Sequence, residues 1–210
     1  ERLLSLQPDL IFAIDQKLDG DSWGYASLSA VAPVIPVGGQ NWLEDLLQVA
    51  GWLSLEEQAQ QVIHEYEALR DEIRSRHASR IASARVVFGS IGGSTLSLRD
   101  IDQAGPQAQA LSDLGGHILP FADPAAVANG YYRISTERIG ELQDADAIML
   151  WSGDLPTLNA FVKDNPLWRL LPAVQAGRVV VVRPNNPGFG SVYTVMECLR
   201  HWDQVYSTLA

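Results

Sequence analysis

The sequence predicts an α/β protein whose larger part, from about residue 80 onward, folds around a mostly parallel sheet with helices on both faces. Short apolar runs typical of buried strands alternate with amphipathic helical patterns in this part. Before it, residues 41–79 contain no proline and show helical spacing of apolar side chains throughout. The 210 residues are 47% hydrophobic and 19% charged, a balance that supports a buried core.

The first part of the chain contains two predicted strands and a helical stretch. Leu10 to Ile14 is an apolar run after a Pro-Asp turn, and Pro33 to Val37 is a second run bounded by proline. The helical stretch over 41–79 follows a Gly-Gly turn. Gly51 and Ser54 are positions where this stretch divides into two helices.

The second part alternates strands with helices joined by short turns, which favours a parallel sheet. The predicted strands are Arg85–Phe88, His117–Leu119, Ala145–Trp151 and Arg178–Val182. The predicted helices are Pro106–Leu114, Ser135–Leu142 with Ser135 as its N-cap, Leu155–Val162 and Val192–Leu209, with a short helical element in NPLWRLLPAV.

Charge and cysteine content exclude several classes of protein. Fifteen Lys and Arg against 25 Asp and Glu give a net charge of −10, so no nucleic-acid partner is expected. Cys198 is the one cysteine, so the chain forms no internal disulfide and no Cys-based zinc cluster. Its apolar helical surroundings indicate a buried packing residue.

Sequence motifs of common enzymes are incomplete in this chain. His64-Glu65 begins an HExxH-like stretch, but Ala68 stands where the second zinc-binding histidine belongs. The glycine-rich segment after the strand RVVF lacks GxGxxG spacing, and neither a P-loop nor a GxSxG elbow is present. We therefore predict no catalytic residues and a protein that is not an enzyme.

Aromatic and polar residues are concentrated in the predicted loops between elements. Ligands of open parallel sheets bind beyond the carboxyl ends of the strands, where such loops lie. Aromatic rings and arginines suit a bulky, partly anionic small molecule. The predicted ligand-binding residues are Trp23, Tyr25, Arg99, Tyr131, Tyr132, Arg133, Asn185, Phe189 and Tyr193.

Six segments, in this order, resemble the substrate-binding proteins of iron–siderophore ABC transporters, a class that also carries haem and cobalamin. The segments are ERLLSLQPDLIFAI, SLSAVAPVIPV, the long helical stretch, LSDLGG, YRISTERIGELQDADAIMLW and NPLWRLLPAVQAGRVVVV. The last is the most specific of them. The resemblance covers the whole chain.

The resemblance implies two similar lobes connected by a stiff helix. Residues 1–40 would then be a remnant of the N-terminal lobe, 41–79 the interlobe helix and 80–210 the C-terminal lobe. We expect that the sequence starts in the middle of the fold and is truncated at its N-terminus.

The resemblance also implies the function and the partners. The protein would deliver a ferric siderophore to the permease of an ABC importer from an extracytoplasmic position, with a lipid anchor in the full-length protein. Iron would arrive in its chelator as cargo, so no cofactor and no metal ligand from the protein are expected. Glu137 falls on the position of a glutamate that docks on permease arginines, although an acid in the first turn of a helix is also favoured by the helix dipole.

Two other functions remain open at this point. The same fold could carry cobalamin, or haem with Tyr131, Tyr132 or Tyr193 as its axial ligand. A small-substrate α/β enzyme is the alternative from another class, and an acid–base pair with perturbed pKa values in a cleft would identify it.

Overall fold

A computed structural model describes most of the chain and divides it into two compact units. The described residues are 2–14, 24–37, 41–92, 95–102, 105–151, 161, 165–182 and 191–209. The first unit comprises Glu1–Ile63 with Phe189–Val192, and the second comprises His64–Gly188 with Tyr193–Ala210.

The first unit contains a small parallel sheet. Its elements are α1 (Arg2–Leu6), β1 (Ile11–Ile14), α2 (Tyr25–Ser29), β2 (Val34–Val37) and α3 (Trp42–Leu53). Strands β1 and β2 pair in parallel with Ile11 opposite Val34, which confirms both predicted strands. Asn41 caps α3 by accepting a hydrogen bond from the Leu43 amide at 3.1 Å.

The helical stretch over 41–79 forms two helices, as Gly51 and Ser54 indicated. Helix α3 ends at Ser54, whose φ of 54° is left-handed, and α4 spans Glu56–Ser83. Within α4, His77 departs from helical geometry with φ −118° and ψ 19°.

The second unit is built on a six-stranded mixed sheet. Its strands are β3 (Arg85–Gly92), β4 (Thr95–Arg99), β5 (His117–Ile118), β6 (Tyr131–Ser135), β7 (Ala147–Trp151) and β8 (Val179–Val182). The order is β6-β4-β3-β7-β8, and β5 pairs with the first residues of β3. Strands β3, β5, β7 and β8 are parallel as predicted. Strands β4 and β6 extend the sheet in antiparallel fashion.

Helices cover both faces of this sheet. The α-helices are α5 (Pro106–Leu114), α6 (Pro172–Gln175) and α7 (Val192–Ser207), and the 3-10 helices are η1 (Pro124–Ala126), η2 (Thr136–Leu142) and η3 (Pro166–Leu170). The helix predicted over Ser135–Leu142 is thus a 3-10 helix, and Ser135 makes no side-chain cap. Except for Phe161, the helix predicted over Leu155–Val162 lies outside the described residues. No helix in the described ranges has both the length and the apolar composition needed to cross a membrane.

A buried tryptophan packs on each face of the sheet. On one face, Trp168 of η3 belongs to a buried cluster with side chains of β3, β4, β6 and β7. On the other face, Trp202 of α7 packs edge-to-face on Phe88 with ring centroids 5.3 Å apart. The indole N–H of Trp202 donates to the carbonyl of Gln107 at 3.0 Å, so the buried indole is satisfied.

A polar cluster joins α4 to α7 where α4 is kinked. Arg76 donates two hydrogen bonds to the Asp203 carboxylate, at 2.8 and 2.9 Å. The buried His77 contacts the same carboxylate through Nε2 at 2.8 Å. A guanidinium can only donate, so the 3.2 Å contact from Arg80 makes His77 Nδ1 an acceptor and leaves Nε2–H to donate to Asp203.

Cys198 lies in the core of α7 as its surroundings indicated. Its side chain is buried, and burial raises the pKa of the thiol to about 12.

A glycine on β3 allows β4 to approach closely. A Cβ on Gly89 would lie 2.3 Å from the carbonyl oxygen of Ser97, which is backbone and cannot give way, whereas a Cβ on Gly92 meets nothing within 4 Å. We predict that Gly89→Ala destabilises the protein by about 1–3 kcal/mol, which lowers the Tm by roughly 2–4 °C per kcal/mol.

Thermal unfolding followed by circular dichroism measures this difference. Gly92→Ala is the matched control and is expected to stay within about 0.5 kcal/mol of wild type. Equal melting temperatures for the two variants would contradict the close approach of β4.

Candidate ligand-binding site

The side chains of β4 and β6 point alternately to the two faces of the sheet. In the pairing of these strands, Arg99 lies opposite Tyr131 and Ser97 lies opposite Arg133. Side chains alternate along a strand, so Arg99, Tyr131 and Arg133 share one face. Their neighbours Leu98 and Tyr132 are buried on the other face.

Two guanidinium groups lie against one tyrosine ring. The guanidinium carbon of Arg99 is 4.1 Å from the centroid of the Tyr131 ring, and that of Arg133 is 5.2 Å from it. Arg99 also lies 5.8 Å from the ring centroid of Trp151, the last residue of β7. These distances are those of cation–π contacts. We refer to Arg99, Tyr131, Arg133 and Trp151 as the arginine–aromatic cluster.

The arginine–aromatic cluster lies at the carboxyl ends of the parallel strands. Ser90, near the end of β3, pairs with Ser97 on one side and with Trp151 on the other. In α/β sheets this end is where ligands bind. The cluster combines guanidinium donors, suited to anionic oxygens, with aromatic rings that pack on flat apolar surfaces.

The start of α5 also lies beside Arg99. Gly105, the N-cap of α5, has a φ of 145°, and a Cβ there would lie 3.8 Å from Nη1 of Arg99. The left-handed φ favours glycine at this position. The backbone at the start of α5 therefore lies next to the guanidinium.

The structure brings together three of the predicted residues, Arg99, Tyr131 and Arg133, and separates Tyr132 from them. The expectation that they lie in loops is corrected, since all four belong to β4 or β6. Tyr132 is 1% exposed and faces the core. The alternation that places Tyr131 and Arg133 on the open face turns Tyr132 away from it.

Tyr132 is held by two residues of η2. Its hydroxyl donates to Glu141 Oε2 at 2.7 Å and accepts from Arg138 Nη2 at 2.8 Å. Arg138 also donates through Nε to Glu141 Oε1 at 2.5 Å. Burial and the hydrogen bond to Glu141 raise the pKa of the Tyr132 hydroxyl.

The remaining predicted residues belong to other elements or lie outside the described residues. Tyr25 begins α2 in the first unit and is 46% exposed. Tyr193, in the first turn of α7, is 65% exposed. Trp23, Asn185 and Phe189 lie outside the described residues.

Glu137 is exposed in the first turn of η2, a position that the helix dipole favours for an acid. It makes no hydrogen bond or ion pair with another described residue.

Trp151 is the member of the arginine–aromatic cluster that the sequence analysis did not select. Apart from Asp146, the predicted strand Ala145–Trp151 is an apolar run, and its composition alone does not distinguish Trp151 from the core residues before it. Ile148 and Leu150 do lie in the cluster around Trp168. Side chains of a strand alternate between the two faces, so Trp151, the residue after Leu150, lies on the opposite face. This alternation is the sequence signal that identifies Trp151.

The described residues include no group of three or more His, Cys, Asp or Glu side chains placed to hold a metal ion. Guanidinium groups beside aromatic rings are chemically suited to recognising an anionic or aromatic ligand surface.

One family model matches most of the chain. The model of the periplasmic binding protein family matches residues 1–185. No curated protein matches the sequence.

Several solved structures share the fold of the chain. FhuD2 from Staphylococcus aureus superposes with a TM-score of 0.79 at 19% identity, covering 100% of this chain and 80% of that one. The siderophore periplasmic binding protein from the fuscachelin gene cluster of Thermobifida fusca gives 0.76 at 22% identity, with 98% and 76% covered. FhuD from Vibrio cholerae, solved with Fe3+-Desferal, gives 0.72 at 20% identity, with 100% and 78% covered. At these identities the likeness establishes the fold.

Adjacent tyrosines on β6 provide a direct test of its two faces. Tyr132→Phe removes one hydrogen bond to the half-buried Glu141 and one from Arg138, and we predict a loss of about 1–3 kcal/mol in the free energy of unfolding. Tyr131→Phe keeps the ring that both guanidinium groups contact, so its stability is expected to stay near that of wild type. Urea unfolding of both variants measures the difference, and the reverse order of stabilities would refute the placement of Tyr132.

Proposed function

The chain belongs to the periplasmic binding protein family, and from this premise we propose that it binds a ferric siderophore outside the cytoplasm and delivers it to the permease of an ABC importer. It acts as a binding protein and not as an enzyme. The iron is cargo, already chelated when it reaches the protein.

The observation that carries this proposal is the arginine–aromatic cluster at the carboxyl ends of β3 and β7. A siderophore surrounds iron with its own hard oxygen ligands. The protein therefore has to recognise the outer surface of the complex, which is bulky and bears oxygen atoms. Arg99 and Arg133 supply donors for those oxygens, and Tyr131 and Trp151 supply flat surfaces for packing.

Structures with the same fold support the choice of ligand. One is described as a siderophore periplasmic binding protein, and the Vibrio cholerae protein was solved with a ferric siderophore bound. Because the cluster lies at the end of the sheet where α/β folds bind ligands, it is the part of this chain best placed for the same role.

Delivery requires a contact with the permease, and Glu137 is the residue we propose for it. Its carboxylate is exposed on η2. The neighbouring cation Arg138 is already engaged by Glu141 and Tyr132. Glu137 is thus available to a cation on a partner.

We predict that Arg99→Ala weakens binding of an anionic ferric siderophore by about 1.5–3 kcal/mol, the usual contribution of a hydrogen bond to a charged group. Quenching of intrinsic tryptophan fluorescence during titration with a panel of ferric siderophores measures the dissociation constants. Trp151 is expected to report binding because it lies beside Arg99.

Arg74→Ala is the matched control, since Arg74 is an exposed arginine of α4 outside the cluster. Unchanged affinity for Arg99→Ala would place the ligand elsewhere. A Soret band on haem titration, with no response to any ferric siderophore, would show that the cargo is haem and would contradict the proposed cargo.

We predict that Glu137→Gln and Glu137→Arg both keep normal ligand affinity and a near-normal melting temperature but reduce transport. The arginine variant is expected to be worse, because it places like charges opposite each other at the interface. Uptake of radiolabelled iron by cells that carry each variant measures transport, and Glu65→Gln on the exposed side of α4 is the control. Uptake by Glu137→Arg at the wild-type level would contradict the docking role. Glu137 would then be a residue that only stabilises its helix.

A further inference from the structure

We infer that the proposed cargo site selects its cargo by charge. It takes ferric complexes with a net negative charge, such as ferric tris-catecholates, in preference to neutral ones, such as ferric tris-hydroxamates. This inference rests on the proposed function and names the class of siderophore that the same site takes. It is carried by the side chains that β4 and β6 present on the face of the sheet opposite the core around Trp168.

That face of β4 and β6 carries hydroxyl and guanidinium groups and no carboxylate. Leu96, Leu98, Tyr132 and Ile134 are at most 1% exposed and fill the core on the other face. The residues that alternate with them form three cross-strand pairs, Thr95 with Ser135, Ser97 with Arg133 and Arg99 with Tyr131. We refer to these six residues as the donor face.

The donor face reverses the charge balance of the chain. The whole sequence has 25 Asp and Glu against 15 Lys and Arg, yet these six positions hold two arginines and no acid. The next acid along β4 is Asp100, whose carboxylate accepts a hydrogen bond from the Asp102 amide at 3.3 Å. Local positive charge on an acidic protein favours the approach of an anion at this face.

Both guanidinium groups of the donor face lie against one ring, so they can act on one bound complex. Arg99 is 4.1 Å and Arg133 is 5.2 Å from the centroid of the Tyr131 ring. Arg133 makes no ion pair with another described residue. A neutral cargo would take these like charges out of water without compensating them, which is costly. An anionic cargo offers each guanidinium an opposite charge.

The charge of a ferric siderophore depends on its chelating groups. Catecholates and hydroxamates both supply the oxygen ligands that iron(III) accepts. A catechol loses two protons when it binds iron, and a hydroxamic acid loses one. Three catecholates around Fe3+ therefore leave a negative complex, and three hydroxamates leave a neutral one. Catechol rings are also flat, so they can pack on Tyr131 and Trp151.

The test compares two synthetic hexadentate chelators built on the same tripodal triamine, one with three catecholates and the other with three hydroxamates. Their ferric complexes are titrated into the protein at about 0.05 M and about 0.5 M NaCl, and tryptophan fluorescence gives the dissociation constants. We expect the tris-catecholate to bind about tenfold more tightly at low salt. The preference is expected to narrow at high salt, because salt screens the attraction between charges.

Substitution of Arg133 separates its charge from its bulk. We expect Arg133→Met to lose about fivefold or more in affinity for the tris-catecholate and little for the tris-hydroxamate. Arg133→Lys keeps the charge and is expected to retain most of the preference. Arg74→Met is the matched control, since Arg74 is exposed on α4 outside the donor face.

An added carboxylate tests the same charge from the opposite strand. Ser97→Asp places an acid opposite Arg133, and we expect it to weaken tris-catecholate binding about fivefold or more. Ser79→Asp changes the net charge equally at an exposed position of α4 and is expected to leave the affinity unchanged. Melting temperatures show that each variant is folded.

Three outcomes would contradict the inference. Equal affinity for the two complexes, or tighter binding of the tris-hydroxamate, would overturn it and leave the proposed function standing. A tris-catecholate preference that responds neither to salt nor to Arg133→Met would come from ring packing rather than charge, and would overturn it as well. Failure of the wild-type protein to bind any ferric complex would overturn the proposed function and the inference together.

Discussion

Strand β4 runs so close to β3 that the space for a side chain on Gly89 is occupied by the carbonyl oxygen of Ser97. Gly89 permits this approach in the register that pairs Gly89 with Leu98 of β4, and β4 in turn pairs with β6. The register then decides which side chains are buried and which are presented. Arg99, Tyr131 and Arg133 meet on one face because their neighbours fill the core on the other.

The two proposed functional surfaces of the second unit share one strand. Tyr131 and Arg133 belong to the arginine–aromatic cluster, and Tyr132 between them is clamped by Arg138 and Glu141 of η2. The helix with the proposed docking residue is therefore hydrogen-bonded to the strand that carries two of the proposed ligand-binding residues, on its opposite face. A displacement of β6 cannot leave η2 unaffected without breaking these hydrogen bonds.

The parallel part of the fold could be predicted from the sequence because its strands are continuous apolar runs between helical patterns. The antiparallel part was missed, since glycines in GSIGGSTLSLRD suggested a loop while the alternation of Leu96 and Leu98 with polar residues is typical of a strand. Residue types were enough to select Arg99, Tyr131 and Arg133. The alternation of side chains along a strand was needed to exclude Tyr132 from the arginine–aromatic cluster and to include Trp151 in it. That alternation can be used only once the strands have been assigned.

The buried thiol of Cys198 has a practical consequence. The chain has one cysteine, and burial keeps it protonated and inaccessible at neutral pH. A cysteine introduced on the surface would therefore be the single reactive site for a maleimide dye. With such a dye near β6, its fluorescence would report binding of the proposed cargo, and no native residue has to be removed first.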